Sequence, residues 1–267
     1  MYHYLCRKQN KHIMQILIGC AKDMTTMPGV AVDHLSTPQY LNEARHHALQ
    51  MMGIDKETLQ KMLGISDKLA DEVYRRYQTF LDDDNKPMAA ITAYHGVVFK
   101  NMQLESFSKA DFDYAQSHLW ITSFLYGMLR PLDGIKCYRM EGKVKLPQNG
   151  GSMFEYWRSR LTDGLIGSIR ADGGTLVDLA SSEMRLLFDW RKVEENARVV
   201  KPEFLVAKGG KVSMPSVWAK KCRGAMAAWI LRNRLAKAED IIEFSSDGFI
   251  YKGDDGKGNS PVFVAEK

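Results

Sequence analysis

The segment 176-LVDLASSE-183 decides the fold class. Leu176–Ala180 sets aliphatic residues around a single aspartate, as a strand does. It then runs without a loop into Ser181, Ser182 and Glu183, a polar group of the kind that opens a helix. A strand passing directly into a helix start is a step of an α/β chain, and the carboxyl end of a strand is where such proteins place their sites. Outward from this segment, strand-like runs occur at Gln15–Gly19, Met88–Ala93, Thr175–Leu179, Ala197–Val206 and Val212–Val217. Helical patterns lie between them: Pro38–Met52 closed by Gly53, Lys56–Leu63, Asp67–Leu81, Lys109–Leu119, Phe154–Ile169 and Trp218–Lys237. Ser108 followed by Asp111 reads as a capping box. The irregular alternation predicts a mixed α/β fold in a single domain over residues 14–267, not a regular doubly wound one, with an αα-hairpin around Gly64.

Composition narrows the class. The chain has 267 residues, 45% hydrophobic and 26% charged, which is ordinary for a soluble globular domain. Its net charge of +5 is too mild to argue for nucleic acid by itself. Cys6, Cys20, Cys137 and Cys222 are scattered and form no C-x-x-C pair, so neither a zinc site nor a disulfide framework is expected and a reducing cytosol fits best. No apolar run approaches the ~20 residues of a membrane helix. Residues Met1–Ile13 (MYHYLCRKQNKHI) lack a signal peptide's apolar core and read as a disordered extension or an upstream start. No histidine pair has metal-ligand spacing, and G-x-G-x-x-G, the P-loop and G-x-S-x-G are all absent. No metal, cofactor or obligate protein partner is inferred.

Three stretches carry candidate chemistry. At Leu63-Gly64-Ile65-Ser66 two helical runs meet almost without a loop. Gly64 and Ser66 read either as ordinary helix caps or as a bend whose free N–H groups grip an anion, with Lys68 beside it. From Phe204 to Ala238 there are eight basic residues and no acid: Lys208, Lys211, Lys220, Lys221, Arg223, Arg232, Arg234 and Lys237. On a helix over Trp218–Lys237, Lys221 shares a face with Arg232, and Arg223 with Arg234. Gly224, Ala227 and Ala228 lie between those rows and leave room for another backbone. Such a run is either a solvated surface or a phosphate-binding one.

The third stretch is the pair of strand ends. Lys22 follows the first strand, and Asp178, Ser181 and Glu183 follow the central one. They read as a lysine-centred reactive cleft, or Ser181 and Glu183 as a mere helix cap. In 125-LYGMLRPLDG-134, Pro131 and Gly134 fix a chain reversal, and Arg130 is either held by Asp133 or free for a ligand.

The segments Ile65–Ala70, Glu105–Leu119, Leu125–Asp133, Asp178–Glu183 and Ala219–Ile230 together resemble the bacterial YaaA family of peroxide-stress proteins, over nearly the whole chain from Met14 to about Val264. The resemblance implies a cytoplasmic, single-domain α/β protein with a family-specific fold and a positively charged cleft. It also implies a part in limiting iron-dependent peroxide damage, and binding of duplex or branched DNA with a helix-hairpin-helix element at Leu59–Val73. One departure stands out: where the family has Ser-Pro-Ala-Lys after the first strand, this chain has Gly19-Cys20-Ala21-Lys22. The expected function is DNA binding with little base readout, through Gly64, Ser66, Lys68, Arg130, Lys220, Lys221, Arg223, Arg232 and Arg234. The alternative is a nucleobase- or nucleic-acid-processing lyase or hydrolase using Lys22, Asp178, Ser181 and Glu183. Direct iron storage ranks below both, because the His, Asp and Glu spacing lacks a ligand pattern.

Overall fold

The computed structural model describes residues 14–267, so the expectation for Met1–Ile13 lies outside the described residues. In chain order the elements are β1 (Gln15–Ile18), α1 (Leu41–Met52), α2 (Lys56–Leu63), α3 (Asp67–Gln78), β2 (Met88–Ala89), α4 (Ala90–Ala93), α5 (Val97–Lys100) and α6 (Lys109–His118). There follow β3 (Leu119–Ser123), β4 (Gly127–Leu129), β5 (Gly134–Ile135), α7 (Met153–Ala171), β6 (Thr175–Asp178), α8 (Ser182–Arg185) and α9 (Trp190–Asn196). The last elements are β7 (Arg198–Val200), β8 (Glu203–Lys208), β9 (Lys211–Ser213), α10 (Ser216–Asn233), β10 (Ile250–Gly253) and β11 (Val262–Glu266). This is the expected mixed α/β architecture with its αα-hairpin.

The main sheet has strand order β4-β3-β1-β6-β7. Strand β1 is central and parallel to both neighbours, with Ile18 opposite Ile121 and Leu17 opposite Asp178. Its four residues are all buried, which suits a strand covered on both faces. Because β3 and β6 lie on opposite sides of β1, the winding reverses there, and the three carboxyl ends open a crevice at one edge. A second sheet, β10-β11-β8-β9, packs on α10 through a cluster of Phe204, Phe244, Phe249 and Phe263. One continuous core joins the two layers.

The structure corrects several expected elements. Ala197–Val206 is not one strand: Pro202, which lacks an N–H, breaks it into β7 in the main sheet and β8 in the second. Met88–Ala93 forms only two strand residues before α4, whose first N–H groups are taken by the Asp133 and Pro131 carbonyls. Val212–Val217 ends as a strand at Ser213, and α10 then stops at Asn233, so Arg234 leaves the helix and shares no face with Arg223. Leu119 starts β3 and does not end α6, and β3, β4, β5, β10 and β11 lie outside the strands expected from the sequence.

Candidate functional site at the switch point of the sheet

A cavity of about 310 Å³ opens where the carboxyl ends of β1, β3 and β6 meet. Its lining draws on four separate segments: Cys20–Asp23 after β1, Gly96–Phe99 at α5, Tyr138–Met140, and Ser181, Glu183 and Met184 after β6, with Phe124 and Lys220 completing it. Lys22, Ser181, Glu183 and Lys220 of the sequence candidates are thus brought together. Ser181 occupies the position preceding α8, yet its hydroxyl makes no capping bond. Glu183 is exposed and has no ion-pair partner among the described residues.

Lys22 is held at the rim. Its Nζ lies 2.8 Å from Glu141 Oε2, while Arg139 approaches the other oxygen, Glu141 Oε1, at 3.0 Å through Nη2 and 3.1 Å through Nε. One carboxylate therefore holds two cations in fixed positions, a geometry in which charge-assisted bonds are strongest. Burial pushes the Cys20 thiol up to about 12, and the Glu183 and Glu141 carboxylates add to the effect. Under the cavity, Tyr138 Oη bonds Tyr94 Oη and Ser123 Oγ, each at 2.7 Å. Burial keeps both phenols well above their ordinary value, so the floor presents a neutral ring whose polar edge is already occupied.

Asp178 stands beneath this cavity and does not line it. Its Oδ2 accepts from Arg185 Nε at 2.7 Å and Nη2 at 2.5 Å, and its Oδ1 from the Ala180 N–H at 2.9 Å. Burial pushes its carboxyl upward, opposed by Arg185, that N–H and Arg223. Burial also lowers the pKa of Arg223, and the charge of the Asp178 carboxylate opposes that shift. Asp178 and Arg185 brace the end of β6 from inside.

Arg130 lies at the other end of the sheet. Its Nη1 donates to Gln15 Oε1 at 3.0 Å and to the Leu119 carbonyl at 3.2 Å, and Nη2 to Ser168 Oγ at 3.2 Å. The guanidinium stacks 3.4 Å over the Trp120 ring, and burial lowers its pKa to about 10. Gln15 and Leu119 begin β1 and β3, so Arg130 clamps the amino ends, opposite the cavity, and its expected place in a phosphate site does not stand.

The Gly64 bend forms a helix cap of known type. Gly64 adopts φ +61°, and the Ile65 and Gly64 N–H groups return to Gln60 and Lys61 carbonyls, while Ser66 Oγ accepts from Leu69 N–H at 3.4 Å. Lys68 is exposed, and Lys56 bridges Asp67 and Asp71 at 3.2 and 2.9 Å. The far end of α3 reaches the cavity wall, where Tyr77 Oη donates to the Arg139 carbonyl at 2.6 Å. The bend is therefore about 17 Å from that wall along α3.

On α10, Lys221 lies 4.6 Å over the Trp218 ring, Arg232 is exposed, and Arg234 pairs with Asp111 at 3.0 Å. The room left by Gly224 is used by the protein itself: a Cβ there would lie 2.0 Å from the Val98 carbonyl oxygen of α5. Sequence reasoning missed Tyr138, Arg139 and Glu141. An Arg and a Glu two apart in an extended segment have no motif to mark them, and only the fold sets them beside Lys22. Among the described residues no three His, Cys, Asp or Glu side chains gather as a metal-holding group, and no helix is long and apolar enough to cross a membrane.

Comparison with known sequences places the chain. A profile of the family described as peroxide stress protein YaaA matches residues 14–255. A UPF0246 protein of Phocaeicola vulgatus is 47% identical over 239 residues, covering 89% of this chain and 94% of that protein. One from Bacteroides thetaiotaomicron is 46% identical over 237 residues, covering 88% and 92%. A third, from Porphyromonas gingivalis, is 40% identical over 257 residues, covering 95% and 100%. The profile match spans the main sheet and every segment that lines the cavity, and the chain belongs to the YaaA family of peroxide stress proteins.

Proposed function

We propose that this protein acts in the cytoplasmic response to peroxide by binding DNA largely through backbone phosphates, and that it limits iron-dependent damage by covering the DNA. The family's description supports the stress role. One observation carries the DNA reading: of the eight Lys and Arg residues between Phe204 and Ala238, only Arg234 forms an ion pair among the described residues. Exposed cations without ion-pair partners, such as Lys220 and Arg232, favour a polyanion and little base readout. At Lys56, Lys109 and Lys192, by contrast, nearby acids neutralise the charge. At the Gly64–Ser66–Lys68 bend, exposed Lys68 and the start of α3 after Ser66 supply a second contact.

Gel shifts with a duplex at rising salt test this. With about four phosphates held, affinity falls roughly a hundredfold between about 50 and 200 mM salt. The variant Lys220→Glu/Arg232→Glu lowers the salt slope by about two and weakens binding of every sequence alike. Equal affinity of variant and parent at each salt concentration rejects the reading.

A second reading has its own support. Lys22, Ser181 and Glu183 were candidates for an enzyme acting on nucleobases or nucleic acid, and all three line one cavity at the switch point. The Glu141 ion pair favours a charge role for Lys22 over a nucleophilic one.

A further inference from the structure

We infer that the switch-point cavity receives a single nucleotide unit swung out of a DNA strand lying along α10; this rests on the phosphate-binding reading above. Four features lead there. The volume of about 310 Å³ suits a base with part of its sugar and is too small for a stacked pair. The inner wall carries Phe99, Phe124, Met140 and Met184, and the Tyr138 hydroxyl beside them is spent on Tyr94 and Ser123. A flat base fits such a wall by stacking. At the mouth, the Ser181 hydroxyl and Glu183 carboxylate have no partners among the described residues and can bond the polar edge of a base. The rim carries Lys22 and Arg139, fixed by Glu141, and Lys220, an exposed cation of α10 with no ion pair among the described residues. Lys220 thus joins the strand's path to the cavity mouth, so flanking phosphates are held where the sugar enters.

A duplex with one 2-aminopurine facing thymine tests this, because the probe brightens when it leaves the stack. The parent protein gives a several-fold fluorescence rise on binding. The variant Ser181→Phe fills the mouth, and at a protein concentration that shifts all of the duplex in a gel it gives no rise; a rise equal to the parent's overturns the inference. Binding by the parent without a rise overturns the inference and leaves phosphate binding standing. Absence of any duplex binding removes the reading beneath it as well. Free 2-aminopurine nucleoside monophosphate is the third arm: if it binds as tightly as the duplex and Ser181→Phe abolishes that, the cavity serves loose nucleotides and the strand proposal fails.

Discussion

His47 has a partner on one side of its ring and none on the other. Nδ1 lies 3.3 Å from the Leu125 carbonyl, Nε2 bonds nothing, and the ring is packed by Tyr156 and Trp157. Burial holds its pKa down to about 4, against about 6.5 in the unfolded chain. Above pH 6.5 the ring is neutral in both states and its share of stability is fully present. As pH falls from 6.5 towards 4, the unfolded chain takes up a proton that the folded one refuses, and about 3 kcal/mol is lost. Urea midpoints across that range show this loss in the parent, and His47→Gln flattens the profile by that amount. Cysteine chemistry is simpler: burial pushes the Cys20 and Cys222 thiols to about 12 and Cys137 upward, so these three meet peroxide as unreactive neutral thiols.

Helix α10 shows how an element's sequence is read and misread. Its basic residues and its glycine were visible as a pattern, but a pattern does not say whose backbone fills the gap at Gly224. Short α5 fills it, and no periodicity announces a four-residue helix. Gly224→Ala therefore forces α10 off α5 and lowers stability by about 2 kcal/mol or more, measured as a fall in denaturant midpoint with unchanged slope. The end of α10 has a related oddity. Arg234 takes the left-handed position usually given to glycine, and it shares one groove beside the helix with Gln103 and Asp247, the other left-handed non-glycine residues among those described. The Asp111 ion pair offsets a strain of about 1 kcal/mol at Arg234. Helix boundaries with capping boxes, as at Ser108 and Ser152, follow from local bonds. Strand boundaries such as Pro202 follow from which sheet claims each side, which is not local information.

Across the whole molecule, the two ends of the main sheet divide the work. The amino ends are closed by Arg130, Gln15, Ser168 and the pair His118–Asp172. The carboxyl ends are open and hold the cavity. Arg130→Met strands Gln15 and the Leu119 carbonyl and costs about 3 kcal/mol of stability, seen in urea unfolding, while duplex affinity at fixed salt stays at the parent's value. Half of this division was legible: strand ends followed by Lys22 and by Ser181 and Glu183 pointed to the open edge. The rest was not, because Arg130 looks the same in sequence whether it faces solvent or a tryptophan. Gly96 adds a last consequence. A Cβ there would come 2.7 Å from Ala21 Cβ, as one at Gly224 would meet Val98, so residues 96–98 are wedged between the exit of β1 and the long helix. A shift of that helix therefore has no slack to absorb it before it reaches the residues that edge the aperture.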